Sequence, residues 1–232
     1  HPILSTQDDT LTCLQDSLQL MLSDSFKSAY SWSSNNGFIS NSKNPFVHLP
    51  GDYTVMAGLP NGCQSTALIH ISQDKMKPII QSKDDTLNCK KDSSILFANA
   101  DQPGALFLWK GPNNFTSTQK NPSVKSAGKY NLIVTNPNGC KDSVSINLSQ
   151  DIRKPDLSIQ FDTLNCKRTV ATISARSTRD SILFHWTGPA NFTSSDSTIS
   201  TSLPGIYTIK ITSPEYCETE ASLEIISDTI SP

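Results

Sequence analysis

The stretch Phe184-His185-Trp186-Thr187-Gly188-Pro189-Ala190-Asn191-Phe192 decides how the chain is read, because two other stretches match it at a fixed step. Phe107-Leu108-Trp109-Lys110-Gly111-Pro112-Asn113-Asn114-Phe115 lies 77 residues earlier, and Tyr30-Ser31-Trp32-Ser33-Ser34-Asn35-Asn36-Gly37-Phe38 lies 77 before that. Tyr53, Tyr130 and Tyr207, each two residues after a glycine, keep the step, as do Asp74, Asp151 and Asp228 and then Pro78, Pro155 and Pro232. The 232 residues are therefore a threefold repeat, with units expected at 1–77, 78–154 and 155–232. Pro2 fits one residue short, so an excerpt from a longer array is expected.

A unit of this size buries only about 60% of its unfolded surface and needs support beyond an apolar core. Six cysteines, two per unit, offer it. Three copies of one fold should pair alike, which selects Cys13–Cys63, Cys89–Cys140 and Cys166–Cys217, one bridge inside each unit. No Cys-x-x-Cys occurs and the four histidines do not repeat, so zinc is disfavoured. Structural disulfides place the chain outside a reducing cytoplasm, at an extracellular or cell-surface location. A net charge of -2 gives no footprint for nucleic acid, and no run is long and apolar enough to span a membrane as a helix.

Within each unit, short runs of alternating apolar residues predict strands. Leu18, Leu20 and Leu22, or Ala171, Ile173 and Ala175, mark one strand. The aromatic-x-Trp pair marks another, ending at Gly-Pro in the second and third units. Tyr207, Ile209 and Ile211 (with Tyr130, Leu132, Val134 and Tyr53, Val55, Ala57) mark a further one, and Val144, Ile146 and Leu148 the last. No amphipathic helix is visible. The fold class expected is all-β: three tandem Ig-like antiparallel β-sandwiches with one intradomain disulfide each. Trp32, Trp109 and Trp186 are then core anchors rather than sugar-stacking platforms, and Tyr53, Tyr130 and Tyr207 buried corner tyrosines. The linkers Gln73-Asp74-Lys75-Met76-Lys77-Pro78 and Gln150-Asp151-Ile152-Arg153-Lys154-Pro155 hold no glycine and should restrict bending. An extended rod of roughly 100 Å follows if each unit contributes about ten residues of strand.

Taken together, the pattern Cys…aromatic-x-Trp-x-Gly-Pro…Gly-x-Tyr…Asn-Gly-Cys…Asp-x-x-x-Pro resembles the Ig-like and PKD-like repeats of large Bacteroidetes-type secreted or surface proteins. The resemblance covers all three units. It implies non-catalytic stalk or spacer modules of an adhesin or gliding-motility-associated protein, with accessory carbohydrate-binding modules of a secreted glycoside hydrolase as the alternative. The first unit departs with Ser33-Ser34-Asn35 in place of Lys110-Gly111-Pro112, and the third with Glu215-Tyr216-Cys217 in place of Asn-Gly-Cys. The resemblance also makes Asp-[Ser/Thr]-apolar tripeptides candidate O-glycosylation sites, at Thr10, Ser17, Thr86, Ser143, Thr163, Ser181 and Thr229. Their simpler reading is a turn in which Asp accepts from nearby backbone N–H groups.

Carboxylates flank each linker, so calcium held between modules by Asp74, Asp84, Asp85, Asp151 and Asp162 is one candidate metal site. No other cofactor is indicated. No nucleophile elbow, metalloprotease helix or phosphate loop occurs, and no enzyme is expected. Partners expected are the neighbouring repeats of the same chain and a surface glycan or protein ligand, with the chain a monomer. The divergent stretches Ser40–His48, Ser117–Lys125 and Ser194–Leu203 are the candidate ligand surface.

Overall fold

The computed structural model describes residues 3–24 and 28–228. The chain divides into two compact units. One comprises His1–Lys83, Phe97–Pro122 and Tyr130–Ser145, the other Asp84–Leu96, Ser123–Lys129 and Ile146–Pro232. Among the described residues the only helical segment is the 3-10 turn Pro189–Asn191. The protein is all-β, built of several sheets.

In the first unit a five-stranded sheet runs in the order Asp9–Leu11, Gln64–Gln73, Gly51–Gly58, Ala29–Ser34, Ile39–Ser40. Every second residue of Gly51–Gly58 points inward: Tyr53, Val55 and Ala57 are buried, their neighbours Asp52, Thr54 and Met56 exposed. Short ladders, Leu4–Ser5 with Ser23–Asp24 and Leu18–Gln19 with Phe46–Val47, complete the first repeat. Leu18, Leu20, Leu22 and Val47 join Trp32, Tyr53, Val55, Ile69 and Ile71 in one core. The same unit holds Leu106–Lys110, paired antiparallel with residues 131–135 and with Thr116–Ser117, and Ile80–Ser82 paired with Ala98–Ala100.

The second unit carries a four-stranded antiparallel sheet, ordered Phe192–Ser194, Leu183–Gly188, Gly205–Thr212, Glu218–Ile225. A three-stranded one runs Ser158–Phe161, Ala171–Arg176, Thr198–Thr201. Ala171, Ile173, Ala175 and Ile199 from the second sheet share a core with Trp186, Tyr207, Ile209, Ile211 and Ile225 from the first. In this unit Asp85–Asn88 runs parallel to residues 148–151, and Leu164–Asn165 parallel to Ser227–Asp228.

Those parallel pairings depart from the wholly antiparallel arrangement expected, and they also decide the disulfides. The bridges observed are Cys13–Cys140 and Cys89–Cys217, each with Cα atoms 5.0 Å apart, while Cys63 and Cys166 are free thiols. The pairs expected inside each repeat, Cys13–Cys63, Cys89–Cys140 and Cys166–Cys217, do not form. Asp9–Leu11 runs in the direction of Gln64–Gln73 with Leu11 beside Gln73, so Cys13 lies past the end of that strand, whereas Cys63 immediately precedes its start. Ten strand residues span about 33 Å, and bridged cysteines need Cα atoms within about 7 Å. Leu164 beside Ser227 separates Cys166 from Cys217 by the whole of Glu218–Ile225 in the same way. The first cysteine of one repeat therefore reaches the second cysteine of the next.

Candidate functional site

Each of the two bridges is set in a network of hydrogen bonds, and each lies within one compact unit. Around Cys13–Cys140, the Cys13 N–H donates to the Asn138 carbonyl at 3.1 Å. Asn138 Nδ2 donates to Asp74 Oδ1 at 2.8 Å and to the Met76 carbonyl at 3.0 Å, and Asn136 Nδ2 reaches the same carbonyl at 3.3 Å. Asn138 Oδ1 accepts from the Cys140 N–H at 2.9 Å, which closes the turn Asn136-Pro137-Asn138-Gly139. Gly139 sits at φ +81°, the left-handed region suited to glycine, and a Cβ there would stand 2.2 Å from Leu14 Cγ.

The second bridge repeats this plan with different chemistry. Cys89 N–H donates to the Glu215 carbonyl at 3.2 Å. Glu215 replaces Asn138 and would set a carboxylate near Asp151, the counterpart of Asp74. Arg179, standing where the previous repeat has Gln102, donates through Nη2 to Asp151 at 3.0 Å and to Glu215 at 3.1 Å, and through Nη1 to the Arg153 carbonyl at 2.6 Å. Hydrogen bonds from the Arg153 side chain and backbone, with the charges of Arg153 and Arg179, hold the Asp151 carboxyl well below the usual carboxylate range. Lys90, the counterpart of Leu14, places its Nζ 5.1 Å from the centre of the Tyr216 ring, and Tyr216 takes the glycine position at φ +60°. Leu14 on Gly139 thus becomes Lys90 on Tyr216.

The expected calcium ligands do not assemble. Asp74 and Asp151 take part in the networks just described. Asp84 accepts from the Asn147 N–H at 2.7 Å, Asp162 pairs with Arg168 at 2.8 Å, and Asp85 binds Lys91 and Ser94. The Lys91 and Ser94 bonds lower the Asp85 pKa to about 2. Among the described residues no group of three or more His, Cys, Asp or Glu side chains converges as a metal site would require.

Trp32, Trp109 and Trp186 have 0% exposure, and Tyr53, Tyr130 and Tyr207 no more than 1%. Each indole donates to a backbone carbonyl of the divergent stretch that follows it: Ser42 at 2.9 Å, Lys120 at 3.2 Å and Asp196 at 3.0 Å. The rings have no open face for a sugar. The divergent stretches are partly structural, since Val47, Val124 and Ile199 are buried. Their exposed part in the first repeat borders a groove of about 270 Å³ lined by Phe38, Phe46, His48, Leu49 and Tyr53 among others.

Of the tripeptide candidates, Thr86, Ser143, Thr163 and Ser181 are exposed, and Thr10 and Ser17 half-buried. Thr10 Oγ1 lies 2.6 Å from Ser72 Oγ. The preceding aspartate accepts from the backbone N–H of Thr10, Thr86 and Ser143 at 2.7–2.8 Å, the turn chemistry of these pairs. Thr229 lies outside the described residues, as do Pro2 and Pro232.

Glu215 against Asn138-Gly139 stands out in the sequence only as a departure between repeats, and Arg179 against Gln102 does not stand out alone. Their signal was the joint change from Gln102 and Asn138 to Arg179 and Glu215, one repeat apart.

The sequence matches no protein-family model and no curated protein. Among solved structures, the chain is similar to part of a 1.5-MDa bacterial ice-binding adhesin studied for host cell surface retention. The TM-score is 0.53 at 10% identity, over 99% of both chains. It is also similar to a Ca2+-stabilized adhesin of an Antarctic bacterium, with a TM-score of 0.51 at 10% identity, over 96% of this chain and 72% of that one. At such identity the likeness is one of fold alone, an all-β architecture.

Proposed function

We propose that the chain is a non-catalytic stalk segment of a bacterial secreted or cell-surface adhesin. Its modules 1–77, 78–154 and 155–232 are Ig-like sandwiches of the Bacteroidetes type, set in series as a semi-rigid spacer. The single observation that carries this reading is the pairing of cysteines between successive repeats. A bridge inside a module would stabilise that module alone, whereas a bridge from one repeat to the next, backed by the hydrogen bonds of Asn138 or the ion pairs of Arg179, fixes their connection. Disulfides of this kind persist in oxidising surroundings, which supports a location outside the cytoplasm. The similarity in fold to two bacterial adhesins supports the assignment, and the buried tryptophans speak against a carbohydrate-binding array.

Small-angle scattering of the oxidised chain tests the stalk. A maximum dimension near 100 Å is expected for three modules in series, as about ten strand residues per module require. A profile of a compact sphere overturns it. Binding to insoluble polysaccharide in a pull-down would replace the stalk with the carbohydrate-binding reading.

A further inference from the structure

We infer that the junction of the first and second repeats is a recognition site for the guanidinium group of an arginine side chain presented by a partner protein.

The next junction shows what such a site takes. There Asp151 Oδ2 accepts from Arg179 Nη2 at 3.0 Å, and the Arg153 carbonyl accepts from Arg179 Nη1 at 2.6 Å. One repeat earlier the same frame stands with a neutral side chain in place of the cation. Asp74 and Met76 hold the positions of Asp151 and Arg153, 77 residues back, and Gln102 holds that of Arg179. Between them lies a cavity of about 210 Å³ lined by Asp74, Met76, Gln102, Asn136, Pro137 and Asn138, all of one compact unit.

Three oxygens of these lining residues have no donor among the described residues. Asp74 accepts from Asn138 Nδ2 at 2.8 Å and from the Met76 N–H at 3.2 Å, both on Oδ1, so Oδ2 is left over. This is the oxygen that Arg179 binds on Asp151. Asn136 is 4% exposed; its Nδ2 donates to the Met76 carbonyl, and its buried Oδ1 has no partner. Buried polar atoms are otherwise nearly always bonded. Gln102 donates through Nε2 to Asp101 at 3.3 Å and keeps Oε1 to accept.

Charge points the same way. Asp151 and Glu215 are balanced by Arg153 and Arg179, whereas Asp74 shares its cavity with neutral side chains and has no ion pair among the described residues. One positive charge restores the balance. A guanidinium suits these oxygens because it is planar, always charged, weakly hydrated and carries donors on several sides. A calcium ion wants six or more oxygens, and the cavity has one carboxylate. Asp74 and Gln102 are exposed, so a side chain can enter from outside.

The test uses the whole isotope-labelled chain with both bridges intact and follows the side-chain amide signals of Gln102, Asn136 and Asn138 by NMR. Nα-acetyl-arginine amide is the probe, with guanidinium, methylammonium and calcium chlorides as separate arms at matched ionic strength. The expected result is a saturable one-to-one shift of these amides with the arginine derivative, shared by guanidinium and weaker with methylammonium and calcium. Asp74→Asn keeps Oδ1 and should weaken binding about tenfold, the loss of one charge-assisted hydrogen bond. Gln102→Arg, at an exposed position, should place the chain's own guanidinium in the cavity, shift the same amides and abolish the titration. No saturable response to the arginine derivative, a response to the bare guanidinium ion alone, an equal response to methylammonium or calcium, or undiminished binding in either variant would each overturn the proposal.

Discussion

The Gly-Pro of the second and third repeats is explained by what lies on the glycine. A Cβ on Gly188 would stand 2.6 Å from the Tyr207 ring and one on Gly111 2.3 Å from the Tyr130 ring. Gly188→Ala should therefore cost about 1–3 kcal/mol by overpacking, whereas Gly58→Ala, whose nearest neighbour stands at 3.7 Å, should cost far less in the same urea titration. The residue two beyond Gly188 offers the opposite test. Ala190 holds φ +53°, where Asn113 stands in the preceding repeat. Ala190→Asn should raise stability by about 0.5–1 kcal/mol, since asparagine tolerates the left-handed region. Charge supplies a third. The Asp85 pKa is lowered from 3.8 to about 2, so the folded state gains from its ionisation above about pH 4 and loses that gain as the pH falls toward 2. Asp85→Asn should flatten this part of the melting-temperature curve against pH. The buried tryptophans and tyrosines could be read from the sequence because an inward residue on a strand repeats with period two and these recur at every step. The glycines could not be read so fully. A glycine before proline has the plain explanation of a strand end, and only the position of the tyrosine ring shows the second reason.

At the scale of elements, the direction of three residues outweighs the spacing of six cysteines. Asp9–Leu11 could lie along its neighbour either way, and no feature of its composition says which. Because it lies parallel, Cys13 is carried to the end of the repeat opposite Cys63. A count of residues between cysteines contains no such direction, which is why the copies do pair alike and yet not within themselves. Removing a bridge should be costly: Cys89→Ser, opening a closure of 128 residues, should lower stability by about 5 kcal/mol in the chain-entropy account. The polar network beside it can be tested separately. Arg179→Ala leaves the Asp151 and Glu215 carboxylates together without their shared cation, and a loss of about 1–2 kcal/mol is expected. The double change Arg179→Gln with Glu215→Asn installs the pair found one repeat earlier and should recover most of that loss in a thermal melt.

At the scale of the molecule, the two bridges overlap along the chain, since residue 89 falls inside the span from 13 to 140 and residue 140 inside that from 89 to 217. Any single cut between residues 13 and 217 therefore leaves one covalent piece, and non-reducing electrophoresis after limited proteolysis should show the full mass where reducing conditions show fragments. The overlap also changes what tension can draw out. The peptide from Cys13 to Cys217 contains 204 residues, or about 690 Å at full stretch. With the bridges closed, the shortest covalent route crosses from Cys13 to Cys140, runs back 51 residues to Cys89 and crosses to Cys217, about 170 Å. A chain bridged in this way keeps about three quarters of its contour in reserve, and only a reductant can release it.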